Sequence, residues 1–167
     1  MKLSDLRTSD TSWRIVVLNG PNTTTALEAS GNFDELLQEW GDGLGIEIEH
    51  FQSNHEGRIL EYIHANTSTA SGFLVNPGGL TSVGESLRHA LKDSARPVAE
   101  VHFNNAELGP HSIFAPSVTC IFSGLGHFSY LGGLVSLVLA LDDIDFLHPD
   151  GSSATNRSHG TPRSIFT

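Results

Sequence analysis

The sequence predicts a single doubly wound α/β domain built on a five-stranded parallel sheet. Three observations carry that expectation. Five short apolar runs recur along the chain, helical patterns separate them, and polar residues able to do chemistry collect just after the runs. Strand and helix alternating in this way imply parallel strands joined by right-handed crossovers.

The strands are expected at residues 14–19 (RIVVLN), 46–51, 72–76 (GFLVN), 98–103 (VAEVHF) and 118–123. The first, third and fifth are nearly continuous in Val, Ile, Leu and Phe, the pattern of strands covered on both faces. Residues 33–40 (FDELLQEW) place Phe33, Leu36, Leu37 and Trp40 on one helical stripe. Residues 57–65 bring Ile59, Leu60 and Ile63 to one side, and residues 84–92 do the same with Leu87 and Leu91. A last helix at 131–141 is apolar nearly all round and should be deeply packed. Residues 1–147 thus read as one domain. Residues 148–167, rich in Ser, Thr, Gly, Pro and Asn, read as a flexible C-terminal tail.

At 167 residues, with 38% hydrophobic and 17% charged, the chain can bury one core. Its net charge of −10 argues against nucleic acid or an anionic membrane as partner, since each needs a basic patch. The longest apolar stretch, 131–141, is too short to cross a bilayer. The first residues lack the apolar core of a secretory signal, so a cytoplasmic protein is expected. Cys120 stands in an apolar run and reads as a buried structural thiol. His55, His64, His89, His102, His111 and His127 follow no zinc-ligand spacing. Gly124-Leu125-Gly126 follows the last strand and lacks the third glycine of a dinucleotide loop. No metal and no cofactor is therefore expected.

In an open parallel sheet, ligands bind outside the carboxyl ends of the strands. Those ends carry Asn19-Gly20-Pro21-Asn22, then QSNHEG (52–57), Asn76-Pro77-Gly78-Gly79, and Asn104-Asn105 after the fourth strand. Turn chemistry accounts for many of these residues. It does not account for Glu100 and His102, which stand two apart in one strand and so project from one face. A carboxylate beside a histidine fixes its tautomer and favours the protonated ring, which makes a general acid. Taken alone, the two residues fit a satisfied structural pair equally well.

With VLNGPN (17–22), QSNHEG (52–57), NPGGLT (76–81), EVHFNN (100–105) and GLG..SY (124–130) in this order, the chain resembles the type II 3-dehydroquinate dehydratases over roughly residues 14–140. The resemblance implies a flavodoxin-like sheet and elimination of water from 3-dehydroquinate through an enolate. It implies that Asn22 holds the water facing the enolate oxygen, and that His102, oriented by Glu100, protonates the departing hydroxyl. Asn76, the Pro77 and Gly78 turn, and the backbone near Phe103 and Asn104 would hold the substrate's hydroxyl and carboxylate. Ser82 and His89 stand where the family has a substrate-binding His and an Asp that reaches a neighbouring site. The family forms trimers that build a dodecamer, so a homo-oligomer is expected here.

The departures bear on activity. In the family, NGPN leads into a lid carrying an Arg and then the Tyr that acts as base. Here Asn22 is followed by Thr23-Thr24-Thr25, and no Tyr or Arg lies between Asn22 and Gln52. The segment AELGPHS (106–112) is short and has no Arg. The chain is therefore expected to keep a pocket for a small cyclic hydroxylated carboxylate, related to quinate or shikimate, with dehydroquinate dehydration impaired or absent. Two alternatives stay open. One is a lyase or dehydratase acting on a related substrate with a replacement base, for which Glu85, His89 and His111 are candidates. The other is a non-catalytic ligand sensor or assembly subunit.

Overall fold

The computed structural model describes residues 1–108 and 112–149. Five strands, β1 (Arg14–Asn19), β2 (Glu47–Gln52), β3 (Gly72–Asn76), β4 (Val98–His102) and β5 (Cys120–Ser123), form one parallel sheet in the order β2-β1-β3-β4-β5. Chain order runs outward from β1 to one edge, then returns across it to the other. That reversal opens a crevice at the carboxyl ends of β1 and β3.

The helices are α1 (Thr24–Ala29), α2 (Phe33–Leu44), α3 (Glu56–Asn66), α4 (Glu85–Asp93), α5 (Asn105–Leu108), α6 (Phe128–Asp142) and α7 (Ile144–Leu147). The apolar stripes expected at 33–40, 57–65 and 131–141 fall within helices, as do Leu87 and Leu91 of the one at 84–92, whose first residue, Gly84, stands just before α4. Three short helices were not expected. Of these α1, the one next to the crevice, has a single buried residue, Leu27, too little to leave a periodic signal.

Successive residues of a strand face opposite sides, and the core divides accordingly. Ile15, Val17, Leu74, Ala99 and Val101 pack with α2 and α6. Val16, Leu18, Phe73, Val75 and Val98 pack with α3 and α4 on the other face. β1, β3 and β4 are thus covered on both sides. The fifth strand differs from its expectation: it lies at an edge, and Ile121 is 38% exposed. A short apolar run does not tell a central strand from an edge strand whose outer face another surface could cover.

Local signals set the boundaries. The Asn32 side chain accepts the Glu35 N–H and starts α2, with Asp34 and Glu35 in its positive first turn. Gly45, at φ 68°, ends it. Helix α6 lies on β3, β4 and β5, and a methyl at Gly133 would sit 2.9 Å from Leu74, so glycine sets how closely helix meets sheet. Residues 129–142 of this helix are all buried or half-buried, as its apolar circumference requires. Among the described residues no helix is long and apolar enough to cross a membrane. His148 and Pro149 apart, the expected tail lies outside the described residues.

Candidate active site

Two loops close against each other where β1 and β3 end. Gly20 N–H donates to the Asn76 carbonyl and Gly79 N–H to the Pro21 carbonyl, both at 2.8 Å. Backbone passes so near backbone that a β-carbon on Gly20 would lie 2.2 Å from the Pro77 oxygen. One on Gly78 (φ 55°) would lie 2.2 Å from the Pro21 oxygen. Glycine is required at both positions. Asn22 also adopts a positive φ, 67°, a conformation that Asn tolerates better than most residues. Its N–H donates to Asn54 Oδ1 at 3.1 Å, so the loop after β2 helps hold it.

These loops and α1 enclose a cavity of about 210 Å³, lined by Pro21, Asn22, Thr23, Ala26, Gly78, Gly79 and Phe103. None of these side chains ionises. Of the residues expected at the site, Asn22, Gly78 and Phe103 meet here. Pro77 is buried immediately behind the wall. Asn104 is exposed next to Phe103, while Ser82 is exposed and outside the lining.

The Glu100 and His102 pair lies at the end of β4, on the α3/α4 face of the sheet, and both side chains are fully buried. Glu100 Oε1 accepts a hydrogen bond from Ser112 Oγ at 2.5 Å and faces His102 Nε2 at 2.8 Å. An ionised carboxylate only accepts, so Nε2 carries the proton of that contact and Nδ1 is the ring's remaining position. Among the described residues, His102 Nδ1 and Glu100 Oε2 are buried without a hydrogen-bond partner. Leaving a buried polar atom unpaired costs about 1–3 kcal/mol.

On the α2/α6 face, Asn76 is fully buried; its Nδ2 donates to Tyr130 Oη at 2.9 Å and its Oδ1 accepts from Gly78 N–H at 3.0 Å. Tyr130 Oη donates to Asn19 Oδ1 at 2.5 Å. Sequence reasoning assigns Tyr130 and Asn19 no chemical role, although a signal is present. Two buried strands each end in an Asn, and Asn19 and Asn76 are register partners. Buried amides need hydrogen-bond partners, and a tyrosine on the most apolar helix can supply one.

Glu85 and His89 lie on the exposed side of α4. The Glu85 carboxyl bonds to Arg88 and is 3.3 Å from His89; the Arg88 hydrogen bond, aided by the Arg88 charge and by the nearby His89 ring, holds it below the usual carboxylate range. That direction opposes service as a base near neutral pH. His111 lies outside the described residues. Among the described residues, no cluster of three or more His, Cys, Asp or Glu could hold a metal.

The model of the family described as Dehydroquinase class II matches residues 13–138. The chain belongs to the class II dehydroquinase family. A 3-dehydroquinate dehydratase of Halothermothrix orenii is 36% identical over 141 residues, covering 75% of this chain and 93% of that relative. One from Thermotoga maritima is 33% identical over 144 residues, covering 78% and 99%. The crystal structure of the type II dehydroquinase from Propionibacterium acnes superposes with a TM-score of 0.67 at 29% identity, covering 76% of this chain and 98% of that one. A 3-dehydroquinate dehydratase-like protein from Bifidobacterium longum superposes with a TM-score of 0.58 at 26% identity, covering 77% and 97%. The single-domain sheet order found here is that of the flavodoxin-like class II dehydroquinase fold.

Proposed function

We propose that this dehydroquinase-family protein binds a small cyclic hydroxylated carboxylate in the cavity between Asn22, Gly78 and Phe103, with His102 as proton donor. The observation that carries this reading is the pair of atoms His102 Nδ1 and Glu100 Oε2, both buried without a hydrogen-bond partner among the described residues. A purely structural pair would be expected to satisfy both. A histidine clamped at Nε2–H by a carboxylate can take up a second proton at Nδ1 and hand that proton to a departing hydroxyl. Neither His102 nor Glu100 is among the residues lining the cavity; the lining comes as near to them as Phe103, the next residue along the chain.

The finer part of the proposal is that dehydration of 3-dehydroquinate is impaired. The elimination needs a base to take the proton beside the ketone. No side chain lining the cavity can serve, and α1 occupies the segment after Asn22. Loss of a general base lowers rates by about 10²–10⁴. A homo-oligomer, trimer or dodecamer, is part of the same reading. Val83, Ile121, Leu125, Phe128, Ile144 and Phe146 are exposed on this protomer and would be covered in an assembly.

Thermal-shift titration with quinate and shikimate, run beside a turnover assay on 3-dehydroquinate, tests the proposal. Stabilisation by either acid with turnover at least 10²-fold below ordinary enzyme rates of about 1–10³ s⁻¹ is expected. Ordinary turnover would overturn the impairment; absence of binding by any of these acids would overturn the pocket.

A further inference from the structure

A continuous line of hydrogen bonds runs from the cavity wall to the protein surface, and its direction follows from a single group. The N–H of Gly78 can only donate, so the atom of Asn76 facing it at 3.0 Å must be the amide oxygen. The Asn76 Nδ2 therefore faces Tyr130, whose oxygen accepts at 2.9 Å. The hydroxyl's one proton then goes to Asn19 at 2.5 Å, which must present its Oδ1. That leaves Asn19 Nδ2 facing His50 Nε2 at 2.7 Å. An amide nitrogen only donates, so Nε2 holds a lone pair. The proton of the neutral ring sits on Nδ1, 2.6 Å from Asp34 Oδ1.

Each end suits that polarity. Asp34 is a carboxylate and 76% exposed, a pure acceptor where the line reaches solvent. Asn19, Tyr130 and Asn76 are fully buried, so none can exchange its partner for water. Aromatic packing holds the ring positions: Phe33 lies edge-on to His50 and to Tyr130, with centroids 5.3 and 4.9 Å away. The cavity-lining Phe103 packs on Tyr130 at 5.2 Å.

We propose that Tyr130, Asn19 and His50, with Asp34 as the outer acceptor, are positioning residues that lock the Asn76 amide and, through it, the Gly78 turn of the cavity wall. On this arrangement the Tyr130 hydroxyl is committed to both asparagines and stands as a neutral link rather than as a replacement for a missing base. The inference does not depend on turnover, and its test is made without substrate.

Nitrogen-15 NMR of the histidine side chains reads the tautomer directly, with His50 assigned by the signal lost in His50→Gln. The wild-type ring is expected as the Nδ1–H form, with Nε2 resonating as a lone-pair nitrogen. Tyr130→Phe keeps the ring that packs on Phe33 and Phe103 but deletes the link. It should weaken that tautomer preference at His50, shift the Gly78 amide signal and speed its hydrogen exchange. A tyrosine serving only to fill space would leave both signals in place. An Nε2–H form in the wild type, which needs no variant to fold, would overturn the proposal. So would a Tyr130→Phe protein in which His50 and Gly78 are both unchanged.

Discussion

His102 and Glu100 meet at 2.8 Å with neither side chain reaching solvent, and Ser112 donates to the same carboxylate oxygen. Glu100 Oε1 accepts from both partners, so truncating it strands two buried polar groups, at about 1–3 kcal/mol each. Glu100→Ala is expected to destabilise the protein by both costs together in urea unfolding. Glu100→Gln keeps the volume and an acceptor for Ser112, so about 1–3 kcal/mol is expected. Equal losses for both variants would show that volume, not pairing, sets the cost.

The two loops that build the cavity depend on Gly20 and Gly78. A β-carbon at either would approach a backbone oxygen to 2.2 Å, and backbone cannot swing aside as a side chain can. Gly78→Ala carries the added strain of a positive φ. Each substitution should lower stability by about 1–3 kcal/mol or more and weaken ligand binding. Gly57→Ala is a control, because nothing lies within 4 Å of its added methyl. Thermal denaturation of the three variants checks the ranking.

Acid should loosen the N-terminal segment. Burial pushes the Asp142 carboxyl up, but hydrogen bonds from Arg7, Trp13 and the Thr8 N–H, with the Arg7 charge, hold it below its ordinary range overall. A carboxyl whose folded-state pKa is depressed stabilises the fold above its unfolded value, about 3.9, and loses that contribution as pH falls through the folded value. The stability difference between wild type and Asp142→Asn should therefore be present near neutrality and shrink below about pH 4. Curves that stay parallel through that range would remove Asp142 from the acid response.

Cys120 should react slowly with thiol reagents. Burial pushes its thiol up, so little thiolate is present at neutral pH. The side chain is half-buried beside the α2/α6 core rather than fully enclosed. Labelling by a disulfide reagent is expected to accelerate on unfolding in urea; equal rates in native and unfolded protein would contradict this.

The parts of the fold that the sequence made legible are those whose side chains repeat with a period. Val16, Val17 and Leu18 are buried on both faces of β1, and Phe33, Leu37 and Trp40 bury one stripe of α2. Helix α1 and the edge position of β5 left no such pattern, because both depend on what lies beside them. At the site, spacing alone placed Glu100 and His102 on one face. It could not reveal that the Asn76 amide is held from the other face by Tyr130, since residues 76 and 130 meet only through the packing of α6 on β3 and β4. His50 was unremarkable in a strand, and its tautomer follows only from a chain of donors that begins at Gly78.

Turnover of 3-dehydroquinate by the purified protein, followed by absorbance of the conjugated enone product beside titration of quinate binding, tests the central account most directly. A saturable binding signal accompanied by product formation at least 10²-fold slower than about 1 s⁻¹ is the expected result, with the residual rate lost in His102→Ala. Product released at 1 s⁻¹ or faster would contradict the account and place a working base in a cavity whose described walls hold none.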